Sequence, residues 1–575
     1  MTSDLRKSVP PPLAPVAFDI PQPHHETLAN GLRVVVFEDE RLPLVSFRLA
    51  FYTGDINDPI DSVGITSAIA SMLTEGTEKY TSFELAEKIE RLGASLSSSA
   101  SDDFTIVSAS CLSLYGSEVL SLLSEVVLRP SFPADELDLY KRNTIEHLKF
   151  QRSQPGFLAG EQAARLIFGT HPYSRVSPAA SDIEKLDRQD LIRRHMETFV
   201  PNDAVLVVIG DVKRDELLSE LRDHFGEWQT GVKQQSEFGR PPDRNARTLT
   251  VVDRAGSAQS NIVLANLSIE RDHPDYFPLI VMNQVLGAGA SSRIFMNLRE
   301  EKGYTYGAYS RLDNKRLAGS FEATAEVRTA VTGDSLKEFF YELNRIRDTA
   351  VGNEELRDAK EFLTGVFPLR AETQEGLTNL VLNQHLYGLP EDYLQTYRQK
   401  INEITAEDVQ RVANIHVRPA EIAIVIVGDA EEVLPQVREY ADTLEVFDTE
   451  GKQQDESKYA PTPAGQLANA AGKWDLKIDF QGQNLPVSLT LAQEGTAITG
   501  ELETMLGNGT ISDGSVSGNK ISATVQAEMQ GQPVEFAIAG KLDGDAMSGT
   551  ITTPMVPDPL PFTGNRDGTA QKSAA

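Results

Sequence analysis

Apolar residues come in short blocks along the first 450 residues, and their spacing alternates between two periods. Leu32–Phe37 and Leu44–Phe51 have the length and β-branched content of strands. In Ile65–Leu73 the apolar positions Ile65, Ala68, Ile69, Met72 and Leu73 recur at helical spacing. Thr81-Ser82-Phe83-Glu84 reads as a capping box opening a second helix with Leu85, Ile89 and Leu92 on one face. Residues 95–112 return to strand, with the serines of 95–101 on an exposed face, and Leu137–Leu148 is helical again. Strands and helices that do not alternate strictly predict an α+β fold.

The pattern repeats. Ile183–Asp211 and Ile401–Asp429 align without a gap at an offset of 218 residues. Each reads helix, Pro, apolar strand, Gly-Asp, and Asp187 and Thr405 occupy the N-cap positions. Two homologous halves follow, 24–235 and 245–446, behind an extended, proline-rich arm at 1–23. Residues 447–472 are polar and Pro/Ala/Gly-bearing and predict a linker. From 473 to 566 the runs WDLKIDF, VSLTLA, ISATVQ, VEFAIAG and SGTITT, separated by Gly-containing turns, predict a small all-β barrel or sandwich. Residues 567–575 read as a disordered tail.

Charge narrows the function. With 84 Asp+Glu against 54 Lys+Arg the net charge is −30, which argues against nucleic acid and against docking on anionic lipid. No apolar run approaches the ~20 residues of a membrane span, so no membrane insertion is expected. No signal peptide is visible in 1–23; a periplasmic or other extracytoplasmic location is expected for a mature form, a cytoplasmic one otherwise. The single cysteine, Cys111, excludes thiolate zinc sets and intramolecular disulfides. The nine histidines stand alone, apart from His24-His25, which read as a loop, and no H-x-x-E-H or H-x-x-x-H occurs. Gly287–Arg293 (GAGASSR) is glycine-rich but lacks the ending of a phosphate loop; it reads as a helix–helix turn or a substrate-touching loop.

The paired halves, the opening LANGLRVVVFED (28–39), HPYS at 171–174 and GAGASSRIFMNLREEKGYTYGAYS (287–310) together resemble the pitrilysin/insulinase family of zinc metallopeptidases, in its processing-peptidase-like branch. The resemblance covers about residues 24–446 and implies two α+β halves forming one half of a clamshell. It also implies a zinc motif, H-x-x-E-H, on the first helix. In this chain that frame reads Gly64-Ile65-Thr66-Ser67-Ala68-Ile69-Ala70-Ser71. Ser67 and Ser71 stand at the histidine positions and Ala70 at the general-base position. A neutral serine is a poor zinc ligand and alanine cannot take a proton from water. The third ligand of the resemblance falls near Glu146-His147, and one such group cannot hold zinc firmly. No metal is therefore expected in this chain.

The resemblance also implies an Arg and a Tyr seven residues apart in the second half, here Arg299 and Tyr306, lying over the substrate. Both can donate to a peptide carbonyl or a developing oxyanion. From spacing alone, Arg299 would pair with Glu300, Glu301 or another surface acid and Tyr306 would pack in a strand. With the family frame, the implied function is a zinc-free subunit of a heteromeric metallopeptidase. Its partner would be an H-x-x-E-H-bearing relative that carries the zinc, and its substrates peptides. The alternative is a non-enzymatic peptide-binding or assembly scaffold.

Overall fold

The computed structural model describes residues 20, 22–232, 238–459, 467–480, 483–504, 507–529, 532–553 and 556–567. Most of the predicted arm, part of the linker and nearly all of the tail lie outside the described residues. The chain forms two units, Met1–Lys458 and Tyr459–Ala575.

The first unit holds two sheets built on one plan. The first contains β1 (His24–Thr27), β2 (Arg33–Glu38), β3 (Leu44–Phe51), β4 (Ser95–Ala100), β5 (Thr105–Leu112) and β6 (Ala204–Gly210), in the order β1-β2-β6-β3-β5-β4. The second contains β7 (Thr248–Asp253), β8 (Gln259–Ser268), β9 (Thr305–Asn314), β10 (Gly319–Arg328), β11 (Ala423–Gly428), β12 (Thr443–Phe447) and β13 (Gln453–Gln454). Its order is β13-β12-β7-β11-β8-β10-β9. Strands β2-β6-β3-β5-β4 and β7-β11-β8-β10-β9 are the same topology. β6 and β11, the strands of the sequence repeat, are buried along their whole length because each is flanked on both sides, by β2 and β3 or by β7 and β8. That is why both read as uninterrupted apolar runs.

The predicted caps are present. Asp187 accepts the Gln189 N–H, and Thr405 accepts the Asp408 N–H. Thr81 accepts the Glu84 N–H at 3.3 Å while Glu84 accepts the Thr81 N–H at 2.9 Å. Thr81→Ala is expected to cost about 1 kcal/mol, read as a lowered urea midpoint in far-ultraviolet circular dichroism.

Two expectations are corrected. His24-His25 lie in strand β1, paired with Val36 and Val35, because the apolar β2 carries an open edge that the segment completes. The linker does not begin at 447: β12 runs parallel to β7, and Phe447 and Val446 pair with Gln453 and Gln454 across a hairpin, so the second sheet extends to 454. A polar edge hairpin that buries little has no apolar period to announce it.

The two halves exchange helices as well as touching at their hairpin tips: Leu158, Ala163 and Ile167 of the first half pack with Val263 and Val425 of the second sheet, and Leu377, Val381 and Leu386 of the second half pack with Val35 and Val205 of the first. Lys315, after β9, lies 2.6 Å from Asp102, between β4 and β5. Asp103 accepts the Arg316 N–H at 3.0 Å and the Tyr173 hydroxyl at 2.6 Å.

The second unit is a closed barrel of β14 (Gly472–Phe480), β15 (Gln483–Glu494), β16 (Ala497–Thr504), β17 (Gly507–Ser517), β18 (Lys520–Met529), β19 (Gln532–Asp543), β20 (Ala546–Thr553) and β21 (Val556–Arg566). The five predicted runs fall on strands. β16, β17 and β21 went unread because glycine and proline interrupt their alternation. Trp474 is fully buried, donates its indole N–H to the Ala470 carbonyl at 2.9 Å, and carries Arg566 4.5 Å above its ring. Ala470, placed in the linker by sequence, thus belongs to the barrel core. Side chains fill the interior closely. A Cβ at Gly509 would stand 2.6 Å from Val525, and one at Gly540 3.2 Å from Phe562.

Candidate functional site

The helix Ile65–Met72 starts on Gly64, whose φ of 91° favours glycine. Gly64 has no side chain to cap the helix, and Asp58 takes that role from upstream. Its carboxylate accepts the Gly64 N–H at 2.7 Å, the Thr66 N–H at 3.2 Å and the Thr66 hydroxyl at 2.5 Å. Ser67 points at a second carboxylate: its hydroxyl donates to Asp55 at 2.8 Å. Ala70 is buried, and Ser71 is exposed. Burial pushes the Asp55 carboxyl up to about 7, reinforced by the negative charge of Asp58 and opposed by the Ser67 hydrogen bond. Tyr140, on the helix Ala134–Ser153, has its hydroxyl pushed up to about 12 by burial and hydrogen-bonds toward Thr144 and Ser71. Sequence reasoning missed Asp55, Asp58 and Tyr140. The signal for Asp58 was an acid just upstream of a helix whose N-cap is glycine; nothing local marks the other two.

These residues do not fit a zinc ion. The Ser67 hydroxyl is engaged as a donor to Asp55, Ala70 offers no base, and Glu146, expected near the third ligand, lies on an exposed helix face paired with Lys149 at 2.7 Å. Among the described residues no group of three or more His, Cys, Asp or Glu could hold a metal ion. The buried histidines have local work. His195 bonds the Val127 carbonyl at 2.9 Å, its ring pushed down to about 4 by burial, and His416 bonds Asp275 at 3.0 Å.

The second half builds a different arrangement. After the helix Tyr276–Leu286, the GAGASSR segment turns under β9. The Ser310 N–H donates to the Gly287 carbonyl at 2.8 Å, and a Cβ at Gly287 would stand 2.3 Å from that nitrogen. Asn283 accepts the Ser310 hydroxyl at 2.7 Å. Arg293, nearly buried, makes a two-pronged pair with Glu355 at 2.6 and 2.7 Å. Asn297 donates to Glu338 at 3.1 Å and Glu342 at 3.0 Å. Glu355→Ala, which strands a buried guanidinium, is expected to cost about 3 kcal/mol, measurable as a lowered urea midpoint.

This anchored segment ends in a π-helix, Met296–Glu301, and then a turn at Gly303 (φ 63°) into β9. Arg299 sits in the π-helix, with its side chain 44% exposed, 3.3 Å from Glu300 and 4.9 Å above the Phe295 ring. Tyr306 lies near the start of β9, which is the edge strand, and is 89% exposed. The expected pairing of Arg299 with Glu300 is present; Tyr306 is not packed into the sheet. π-helical turns and open strand edges are both features that recur at functional sites. Two donors held outward on an anchored scaffold can meet an extended chain laid along β9.

The two halves, each a sheet of one topology with helices packed on it, define the class of fold. The chain belongs to the insulinase (M16) peptidase family. Residues 33–164 match the insulinase family, and residues 185–363 match the family of the peptidase M16 inactive domain. It is similar to the non-peptidase homologue YmxG of Helicobacter pylori, at 24% identity over 71% of this chain and 94% of the relative. It is also similar to the probable mitochondrial-processing peptidase subunit beta of Schizosaccharomyces pombe, at 22% identity over 72% and 93%. Among solved structures, the peptidase M16 inactive domain from Pseudomonas fluorescens superposes with a TM-score of 0.67 at 27% identity, covering 71% of this chain and 98% of that one. A protease from Helicobacter pylori shares the fold with a TM-score of 0.65 at 19% identity, covering 71% and 100%. No helix among the described residues is long and apolar enough to cross a membrane.

Proposed function

We propose that this chain is the zinc-free subunit of a two-chain metallopeptidase. A relative bearing H-x-x-E-H supplies the zinc, the activated water and the general base. Arg299 and Tyr306 of this chain reach the peptide bound there and donate hydrogen bonds to the oxyanion that forms at the scissile carbonyl. The observation that carries this reading is the contrast between the halves. The first helix has Ser67, Ala70 and Ser71 where a catalyst needs ligands and base, while the second half holds Arg299 and Tyr306 outward from a π-helix and an edge strand. Kinship with a peptidase subunit supports a heteromeric assembly.

The test is reconstitution. The chain, an H-x-x-E-H relative from the same source, and their mixture are each given a quenched-fluorescent peptide. Cleavage by the mixture far above the sum of the separate chains supports the shared site. The non-peptidase name of the Helicobacter relative favours a second reading, a peptide-binding or assembly scaffold. Peptide binding without cleavage in any pairing would establish that reading instead.

A further inference from the structure

β9 is not regular where it carries Tyr306. Thr305 pairs with Val327 and Ala308 with Ala325, so Tyr306 and Gly307 stand opposite the single residue Glu326. This is a bulge, a device that re-aims a side chain at the margin of a sheet. The Thr305 hydroxyl closes it, donating to the Glu326 carbonyl at 2.6 Å and accepting the Gly307 N–H at 3.1 Å. The Tyr309 ring lies over Gly307, where a Cβ would stand 2.7 Å from it. Tyr309 in turn packs on Phe295 with ring centroids 5.5 Å apart, and Phe295 carries the Arg299 guanidinium 4.9 Å above its own ring. A continuous stack, Gly307–Tyr309–Phe295–Arg299, therefore joins the bulge to the π-helix.

We infer that Thr305 and Tyr309 are positioning residues for the Arg299–Tyr306 pair: Thr305 holds the bulge that turns Tyr306 outward, and Tyr309 sets its spacing from Arg299. The inference rests on the shared-site reading above. It follows from chemistry rather than from the pair itself. An exposed tyrosine on an unbraced edge strand samples many orientations, whereas transition-state donors act only when held in place, and a displacement of about 1 Å can cost 100-fold. The Thr305 hydroxyl spans the bulge, and the aromatic stack runs from the half-exposed Tyr309 to the buried Phe295.

The experiment uses the full chain. Hydrogen exchange of the isolated chain reports the Gly307 amide; quenched-fluorescent peptide cleavage with the H-x-x-E-H relative reports kcat and KM. Thr305→Val is expected to raise Gly307 exchange and to lower kcat about tenfold with KM little changed. Thr305→Ser, which keeps the hydroxyl, restores both. Tyr309→Ala should behave like Thr305→Val, and Tyr309→Phe, which keeps the ring, like the parent. Unchanged Gly307 exchange in Thr305→Val, or raised exchange with kcat intact while Tyr306→Phe lowers it, overturns the positioning roles. If Tyr306→Phe itself leaves kcat intact, the shared-site reading falls, and the inference with it.

Discussion

Arg299→Ala is expected to lower partner-dependent peptide cleavage by about 100- to 1,000-fold in kcat, the usual cost of deleting one oxyanion donor. Tyr306→Phe, which removes only a hydroxyl, should fall in the same direction. The argument depends on where these side chains sit. Arg299 is 44% exposed, and its one ion pair, with Glu300 at 3.3 Å, is of the surface kind that contributes about 0–1 kcal/mol. Tyr306 is 89% exposed. Neither change should disturb the fold, so the unfolding midpoint of each variant is expected to match the parent while cleavage collapses. Cleavage that survives both substitutions at parental rates would remove this chain from the chemistry. An interaction made only in the transition state lowers kcat and kcat/KM together; a rise in KM alone would instead assign the pair to ground-state peptide binding.

The second large effect is a pH dependence of stability set by Asp55. Burial, reinforced by the neighbouring Asp58, pushes its folded carboxyl from the ordinary 3.8 up to about 7. Below pH 3.8 the group is protonated in both states and costs nothing. Between 3.8 and 7 the unfolded chain ionises while the fold keeps its proton, so stability falls by about 1.4 kcal/mol per pH unit. Above 7 the loss levels off at about 4 kcal/mol. Asp55→Asn keeps the acceptor for Ser67 and removes the titration. Relative to the parent it should gain about 3 kcal/mol between pH 5 and pH 8. Urea unfolding followed at the helical circular-dichroism band reports the first unit, which holds the helices of the described structure. An Asp55→Asn advantage that does not grow with pH would show that the carboxyl is not desolvated as described. Asp55 thus combines a buried carboxyl with an accepted hydrogen bond from the Ser67 hydroxyl at 2.8 Å.

Parts of this were legible in the chain alone, for a common reason. The twofold repeat and the N-caps at Asp187 and Thr405 are local: each depends on residues within a few turns of one another. Helical spacing and side-chain chemistry are enough to read them. Arg299 and Tyr306 came from the family resemblance and not from their spacing, and their role is the proposal made above.

What lay outside the sequence is what depends on distant neighbours. The β12–β13 hairpin extended the second sheet past 446 because β12 pairs with β7, nearly 200 residues earlier in the chain, and no local pattern encodes a non-local pairing. The closure of the barrel is set by pairing between its first and last strands, β14 and β21. Whether Tyr306 would pack inward or stand in solvent turned on one extra residue in β9 opposite Glu326, since a one-residue offset reverses the face a side chain occupies. Nothing local marked Asp55; its carboxyl is pushed up by the burial that excludes water and by Asp58 and Asp102 beside it. The sequence by itself determined which functional groups this protein possesses. Tertiary structure decided how they face and how they titrate, because register and desolvation are properties of what packs around a residue.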